Sequence, residues 1–197
     1  MERMQRPREI RQPGDRAVAP GRLALVQAFV NSVNVEFGPD EFASAEGLIG
    51  WLERNGFESA GIAPPDELDL REAVTLREAL RGLLRENNGG AVDARARRAL
   101  EHVARGCPVT VGFGAEGGEL GLRPVSGDLR GVLGSVLVAV AEARIEGSWR
   151  RLKSCSEHRC EWAFYDRSRN RGSRWCSMAV CGTRAKMHRY RGSRVSS

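Results

Sequence analysis

The stretch CSEHRCEWAFYDRSRNRGSRWCSMAVC, residues 155–181, decides the fold of the carboxyl-terminal quarter. It holds two cysteine pairs of the same form, C-x4-C, namely Cys155 with Cys160 and Cys176 with Cys181. A tetrahedral zinc ion needs about four thiolate or imidazole ligands, and two loops that each supply a closely spaced pair surround it without strain. The spacing therefore predicts one structural Zn²⁺ on these four cysteines.

The segment around the cysteines also needs a metal for its stability. It has few aliphatic side chains, and so short a segment cannot bury enough apolar surface to fold alone. Structural zinc contributes about 10 to 16 kcal/mol in small finger peptides, more than burial of Trp162, Phe164 and Trp175 would add. We expect this end of the chain to unfold without zinc.

Other uses of the cysteines remain open from the sequence. Two disulfides are disfavoured in a reducing compartment, and an iron–sulfur cluster is disfavoured because the symmetric pairs differ from ferredoxin-type cysteine runs. Inert buried thiols are a third alternative. His158 lies inside the first loop and is an alternative ligand, although four cysteines already fill a closed site. Cys107, far from the pairs, is predicted to be a small buried residue.

Two basic segments adjoin the second cysteine pair. The loop between the pairs is rich in Arg, Ser, Asn and Gly, which predicts a flexible cationic loop suited to phosphate oxygens, the alternative being a merely solvated loop. The segment GTRAKMHRYRG after Cys181 predicts a basic helix, with Met187 and Tyr190 packing it onto the module. The candidate nucleic-acid-binding residues are Arg167, Arg169, Arg171, Arg174, Arg184, Lys186, Arg189 and Arg191.

Charge is distributed unevenly along the 197 residues. Residues 23–149 carry 12 Arg against 19 acidic residues, whereas residues 150–197 carry 13 Arg or Lys against three acidic residues. Such an asymmetry indicates an acidic body joined to an end that binds a polyanion. The longest apolar run, VLGSVLVAVA, is half of the roughly 20 residues that a membrane span needs, so a membrane protein is not expected. A start rich in charge and proline argues against a secretory signal and favours the cytoplasm.

The first 150 residues divide into a tail and a helical body. Residues 1–22 are rich in Arg, Pro and Gly and are predicted to be a flexible basic tail. Hydrophobic periodicity then predicts a mainly helical α+β domain over 23–150, with one β-hairpin, followed by the zinc module over 151–197. Helices are expected at 23–37, 44–56, 66–86 and 92–106, strands in PVTVGFG and ELGLRPV, and a central helix from about Asp128.

The body contains one polar residue on an apolar stripe. Arg77 lies where the third predicted helix should present an apolar side chain. One interpretation is that Arg77 binds an anion in a pocket that also contains Asn31. The alternative is that its guanidinium forms an internal ion pair or reaches water. The three histidines are scattered and we find no nucleophile elbow or phosphate-cradling glycine motif, so the chain is not expected to be an enzyme.

Residues 152–191 closely resemble the CGNR zinc-finger family, on the cysteine pairs, the run FYDRSRNRGSRWCSM and the tetrapeptide CGTR. The region from Leu23, with FVNS at 29–32 and the Trp51-Leu52 helix, resembles more loosely the ABATE domain that precedes this finger in bacterial proteins. The resemblance implies a stress-linked transcription regulator with zinc on the four cysteines and DNA bound by the finger. Thr183 stands where the family has Asn, which puts the DNA sequence preference in doubt.

Three functions follow as expectations. The first is a zinc-dependent DNA-binding regulator whose larger domain senses a small-molecule effector or pairs subunits as a homodimer. The second is an RNA- or protein-interaction module, with Trp162, Tyr165 or Trp175 as stacking platforms. The third is a small-molecule-binding or enzymatic domain near Asn31 and Arg77, with purely structural zinc.

Overall fold

A computed structural model describes residues 16–59, 62–113 and 120–195. Its helices and strands follow the predicted α+β order, in which a helical body precedes the cysteine module. The elements are α1 (Leu23–Val30), α2 (Ala45–Arg54), α3 (Glu67–Asn87), α4 (Ala94–Arg105), β1 (Val109–Phe113), β2 (Leu120–Pro124), α5 (Leu129–Ile145), β3 (Leu152–Ser154), β4 (Ala163–Tyr165) and α6 (Thr183–Val195).

Side-chain caps fix the starts of three helices. The hydroxyl of Ser44 accepts the Gly47 N–H at the start of α2, and the carboxylate of Asp128 accepts two N–H groups at the start of α5. Asp66 and Asp69 form a reciprocal capping box on α3. Each cap satisfies backbone donors that the first helical turn leaves unpaired, which is why these starts were predictable.

The core lies where α1, α3 and α5 meet. Leu76, Leu80 and Leu84 of α3 are fully buried, as are Leu133 and Val136 of α5. The confirmed central position of α5 follows from its wide apolar stripe. At one end, the rings of Phe29, Phe42 and Trp51 pack with centroids 5.1 to 5.5 Å apart.

The first helix is shorter than the sequence predicted. The periodicity favoured a helix through Phe37, but α1 ends at Val30 and Phe37 is exposed. The reason is local competition for backbone groups, because Asn34 Oδ1 accepts the N–H groups of Glu36 and Phe37 and forms a turn. Gly38 follows with positive φ, and the Gly38-Pro39 peptide is cis.

The predicted hairpin is present, with β1 antiparallel to β2 and Val111 opposite Leu122. Its turn, predicted around AEGG, lies outside the described residues. The second hairpin pairs β3 with β4, Lys153 lying opposite Phe164.

The hydrophobic core continues across the predicted boundary at residue 150. Trp149, Leu152 and Ala163 belong to the same buried cluster as α1, α3 and α5. The Asn31 amide forms a reciprocal pair with the backbone of Ala163, at 2.8 and 2.9 Å. The cysteine module therefore packs directly onto the helical body.

The tail also touches the body near its end. Ala19 is buried, and its N–H donates to the Gln27 side chain over 2.7 Å. The Arg16 guanidinium lies 5.7 Å from the Trp162 ring centroid. The first 15 residues of the predicted flexible tail lie outside the described residues.

Arg81 is a fully buried link between the body and the module. Its guanidinium donates to the carbonyl oxygens of Val30 and Glu161, at 2.8 and 3.0 Å, and to the Glu78 carboxylate. A buried acceptor left unpaired costs about 1 to 3 kcal/mol. The side chain thus satisfies one carbonyl from each side of the contact.

Replacing Arg81 by methionine should lower the free energy of unfolding by about 1 to 3 kcal/mol, since the Val30 carbonyl loses its donor and the Glu161 carbonyl keeps only the Ser154 hydroxyl. Urea unfolding followed by circular dichroism measures the change. The matched control is Arg98→Met, at an exposed position of α4, which should shift stability by less than about 0.5 kcal/mol. Equal effects of the two substitutions would contradict the linking role of Arg81.

Candidate metal centre

The four cysteines of the two C-x4-C pairs come together in one cluster. Their sulfur atoms all lie within 4.8 Å of one another, with Cys160 and Cys176 at 3.5 Å and Cys176 and Cys181 at 3.7 Å. Four ligands at a Zn–S distance of about 2.3 Å around a tetrahedral ion place their sulfurs about 3.8 Å apart. The observed spacing fits that geometry, and all four are free thiols rather than disulfides. The predicted four-cysteine site is confirmed.

Backbone hydrogen bonds shape both cysteine loops. In the first, the Cys160 N–H donates to the Glu157 carbonyl at 2.8 Å, and Glu161 turns the chain with φ of +46°. In the second, Ser177 O accepts the N–H groups of Cys181 and Gly182. These tight turns aim both sulfurs of each pair toward the same point.

Gly182 is buried in the second loop, close to the Met178 and Trp175 side chains. A Cβ at this position would lie 2.9 Å from the Met178 sulfur and 3.7 Å from the Trp175 ring. Thr183, which stands where the family has Asn, donates its hydroxyl to the Met178 carbonyl at 3.3 Å and closes the same turn. The tetrapeptide after the last cysteine therefore holds the loop against α6.

The cluster suits a structural ion. Cys155, Cys160 and Cys181 are buried, and four protein ligands leave no open position for a substrate. Without a metal, burial and the neighbouring sulfurs raise the pKa of the Cys181 thiol to about 12. Bound zinc displaces these protons and holds the thiolates. The His158 side chain is 73% exposed and lies beside Glu157, outside the cluster, so it is not a fifth candidate ligand.

A buried ion pair organises the arginine-rich loop between the cysteine pairs. The Lys153 ammonium lies 2.7 Å from the Asp166 carboxylate, and it also donates to the carbonyl oxygens of Arg171 and Ser173. Asp166 in turn accepts the N–H groups of Ser168 and Ser173. The loop that composition predicted to be flexible is thus anchored at several points along its backbone.

The electrostatics of this pair favour the charged forms. Burial by itself would raise the pKa of the Asp166 carboxyl, but the hydrogen bonds from Lys153, Ser168 and Ser173 outweigh it. They hold that pKa well below its usual value. The carboxylate therefore stays ionised wherever the finger is folded near neutral pH.

Six of the predicted nucleic-acid-binding residues lie at the surface of the module. These are Arg167, Arg169, Arg171, Arg174, Lys186 and Arg191. Arg184 differs, since its guanidinium contacts both carboxylate oxygens of Glu36 on the body at 2.7 Å. The side chain of Arg189 lies outside the described part of the structure. Met187 and Tyr190, predicted to pack α6 onto the module, are about half exposed.

The predicted ligand pocket is occupied by protein contacts. Arg77 pairs through two nitrogens with the Asp40 carboxylate, at 2.5 and 2.8 Å, and also contacts Glu78 and Ser32. Burial opposes ionisation of Asp40, yet the Arg77 hydrogen bond holds the pKa of Asp40 below its usual value. Arg77 thus takes the alternative of an internal ion pair, and a ligand there stays a prediction.

Sequence reasoning missed the residues that hold the module in place. Asn88 follows the last residue of α3 and donates to the carbonyl oxygens of Ser154 and Arg174 and to the Ser156 hydroxyl. Arg85 forms two hydrogen bonds with Glu161. An Asn at a helix end signals only a cap, so the pattern gave no sign of these long-range partners.

Two family models match most of the chain after residue 22. Residues 23–146 match the family model ABATE, described as "Putative stress-induced transcription regulator". The chain belongs to the ABATE family. Residues 151–194 of this ABATE protein match the CGNR zinc finger, which contains all four cysteines of the cluster. A search of curated proteins gave no significant match.

The two matches confirm the predicted order of domains, with the finger after the ABATE region. Together with the sulfur geometry, they identify one structural zinc ion as the cofactor. In the described residues of this ABATE protein, no helix has the length and apolar character that crossing a membrane requires.

Proposed function

We propose that this ABATE protein is a cytoplasmic, zinc-dependent transcription regulator that binds DNA through the CGNR finger. The observation that supports this most strongly is the exposed basic surface built on the zinc module. The module carries most of the excess positive charge of the chain, whereas the body is acidic. A surface of this kind attracts the phosphate backbone of nucleic acids.

The arrangement of α6 supports a duplex as the partner. The helix has 13 residues, which makes it about 20 Å long at 1.5 Å per residue. Lys186, His188 and Arg191 are exposed along it, while Arg184 ties its first turn to Glu36 of the body. The major groove of B-DNA is about 12 Å wide and admits such a helix.

The ABATE region is proposed to sense an effector or to pair subunits as a homodimer. A groove of about 440 Å³ between Phe42 and the first half of α3, lined by Leu70, Arg71 and Val74, offers a site for a small molecule. A binding role is proposed in preference to an enzymatic one, because Arg77 forms internal ion pairs. The stress-linked role is proposed from the family description alone.

The test measures binding of the zinc-loaded full chain to a 20-bp DNA duplex at several salt concentrations. Fluorescence anisotropy of the labelled duplex reports the binding. Contacts to about five phosphates should give a slope of log K against log salt near −4.5. A slope near zero would overturn DNA binding. An RNA hairpin that binds more tightly than the duplex would favour the alternative of an RNA-interaction module.

Arg191→Gln should reduce the magnitude of this slope by about 0.9, since one phosphate contact is lost. Arg98→Gln, an exposed substitution on α4 of the body, removes the same charge and should leave the slope unchanged. The slopes of the two variants are measured on the same duplex. If the magnitude of the slope falls equally in both variants, the effect comes from net charge and not from a contact at α6.

A further inference from the structure

A cleft lies beside the second cysteine loop, on the surface of the finger. Its walls include Arg169, Asn170, Arg174, Trp175 and Met178, and we call it the Trp175 cleft. Its volume is about 450 Å³, which is within the range of small-ligand sites. Neither family match assigns a role to these residues.

Trp175 is the one of three candidate stacking platforms that lines this cleft. Trp162 lies against the Arg16 guanidinium, and Tyr165 packs on the main hydrophobic core. Trp175 packs on the cysteine cluster and contributes to the wall of the cleft. An indole supported from behind offers a fixed apolar wall for a flat ring.

In the described part of the chain, the two guanidinium groups of the cleft have no acidic partner. Across residues 16–59, 62–113 and 120–195, no acidic side chain pairs with the guanidinium of Arg169 or of Arg174. By contrast, Arg77, Arg85 and Arg184 are all paired. Unpaired guanidinium groups beside an aromatic wall match a ligand that joins a flat ring to a phosphate.

The cleft is also held in shape before any ligand arrives. Lys153 binds the carbonyl oxygens of Arg171 and Ser173, and Gly172 donates its N–H to the Ser168 hydroxyl at 3.1 Å. Asn88 on the body holds the carbonyl of Arg174 at 2.9 Å. A site ordered in this way loses little conformational entropy on binding.

We propose that the Trp175 cleft binds one unpaired nucleotide of the bound DNA, with the base against Trp175 and its phosphate on Arg169 and Arg174. Asn170 also lines the cleft, and its amide offers both donors and an acceptor to a base edge. The inference rests on the proposed DNA binding. It adds that the protein favours DNA in which a base has left the stack.

The test compares two end-labelled 20-bp DNA duplexes that differ by a single unpaired thymine. The zinc-loaded full chain should bind the duplex with the unpaired base about tenfold more tightly, a typical gain for one stacked base. Trp175→Leu should reduce that preference to below about twofold and leave the affinity for the intact duplex unchanged. Trp175→Phe, which keeps an aromatic wall, should retain most of the preference.

If Trp175→Leu loses zinc, a second variant tests the proposal. This variant is Arg169→Gln, and Arg150→Gln is its matched control. Both arginines are exposed, but only Arg169 lines the cleft. A preference that both substitutions reduce equally, or that no variant changes, overturns the proposal. Loss of the preference in 1 mM free thymidine monophosphate would support the proposal, because the free nucleotide offers the same base and phosphate and competes for the cleft. Failure to bind either duplex would instead overturn the proposed function.

Discussion

Cys181→Ser is expected to abolish stoichiometric zinc binding and to unfold the finger. Serine removes one of four thiolates, and structural zinc contributes about 10 to 16 kcal/mol to small finger folds. The finger has a small apolar cluster of its own, built on Phe164 with Trp162 and Trp175 at its edge, which does not replace that contribution. Metal analysis should fall from one zinc ion per chain to well below one half, and helical circular dichroism from α6 should decrease.

Cys107→Ser is the control for that substitution. Cys107 is buried between the body elements, away from the cluster, and burial raises the pKa of its thiol. The variant should keep one zinc ion per chain, with any loss of stability confined to the body. Full zinc content in Cys181→Ser, or an ordered finger after chelation, would contradict a zinc-dependent fold.

Acid should release the same zinc ion. The pKa of the metal-free Cys181 thiol is raised, so protons compete with zinc for the sulfur and the competition strengthens as the pH falls. Zinc affinity should therefore decrease steadily from pH 8 to pH 5. Titration with a chromogenic chelator at several pH values measures it, and a constant affinity across that range would be the contrary result.

Lys153→Met is expected to lower the free energy of unfolding by about 3 to 5 kcal/mol. The substitution leaves the buried Asp166 carboxylate without its counterion, and breaking a buried ion pair at one partner costs about that much. The carbonyls of Arg171 and Ser173 lose their donor as well. Urea unfolding measures the stability, and trypsin cleavage within residues 167–174 should become faster because the loop is no longer anchored.

Two further variants separate charge burial from general disruption. Lys153→Met combined with Asp166→Asn removes both charges and keeps one acceptor oxygen, which serves the N–H group of Ser168 or of Ser173 but not both, so only part of the stability should return. Arg97→Met breaks an exposed ion pair with Glu86 and should cost no more than about 1 kcal/mol. If Lys153→Met costs no more than Arg97→Met, the buried pair does not organise the loop.

The zinc site was predictable because its information is local. Two C-x4-C pairs limit the positions of the four sulfur atoms, and the tetrahedral coordination of zinc determines how they are arranged around the ion. The starts of α2, α3 and α5 were also predictable, since Ser44, Asp66 and Asp128 each cap the turn that follows. Caps and ligand spacing operate within a few residues of chain.

The contacts that position the finger were not predictable for the opposite reason. Asn31 was proposed as a pocket residue, yet its amide bonds the Ala163 backbone 132 residues away. Arg184 was assigned to nucleic acid from its helix, yet Glu36 on the body is its partner. An α-helical pattern describes one face of one element and contains no information about distant polar partners.

The predicted length of the first helix was wrong for a related reason. Val33 and Phe37 continue the apolar spacing, but the Asn34 side chain accepts the N–H groups of Glu36 and Phe37, which a longer helix would need. Side chains of this type offer the backbone an alternative to helical hydrogen bonds. The spacing of apolar residues alone therefore overestimated the helix.

The burial of Leu152 and Ala163 against α1 and α3 limits how the gene can be recombined. A finger cut out at residue 150 and fused to another protein would present both side chains to water, together with unpaired backbone groups of Ala163. Transfer of the finger between related proteins should preserve its fold only when the helical body is transferred with it. The finger and the helical body are therefore expected to change together in evolution.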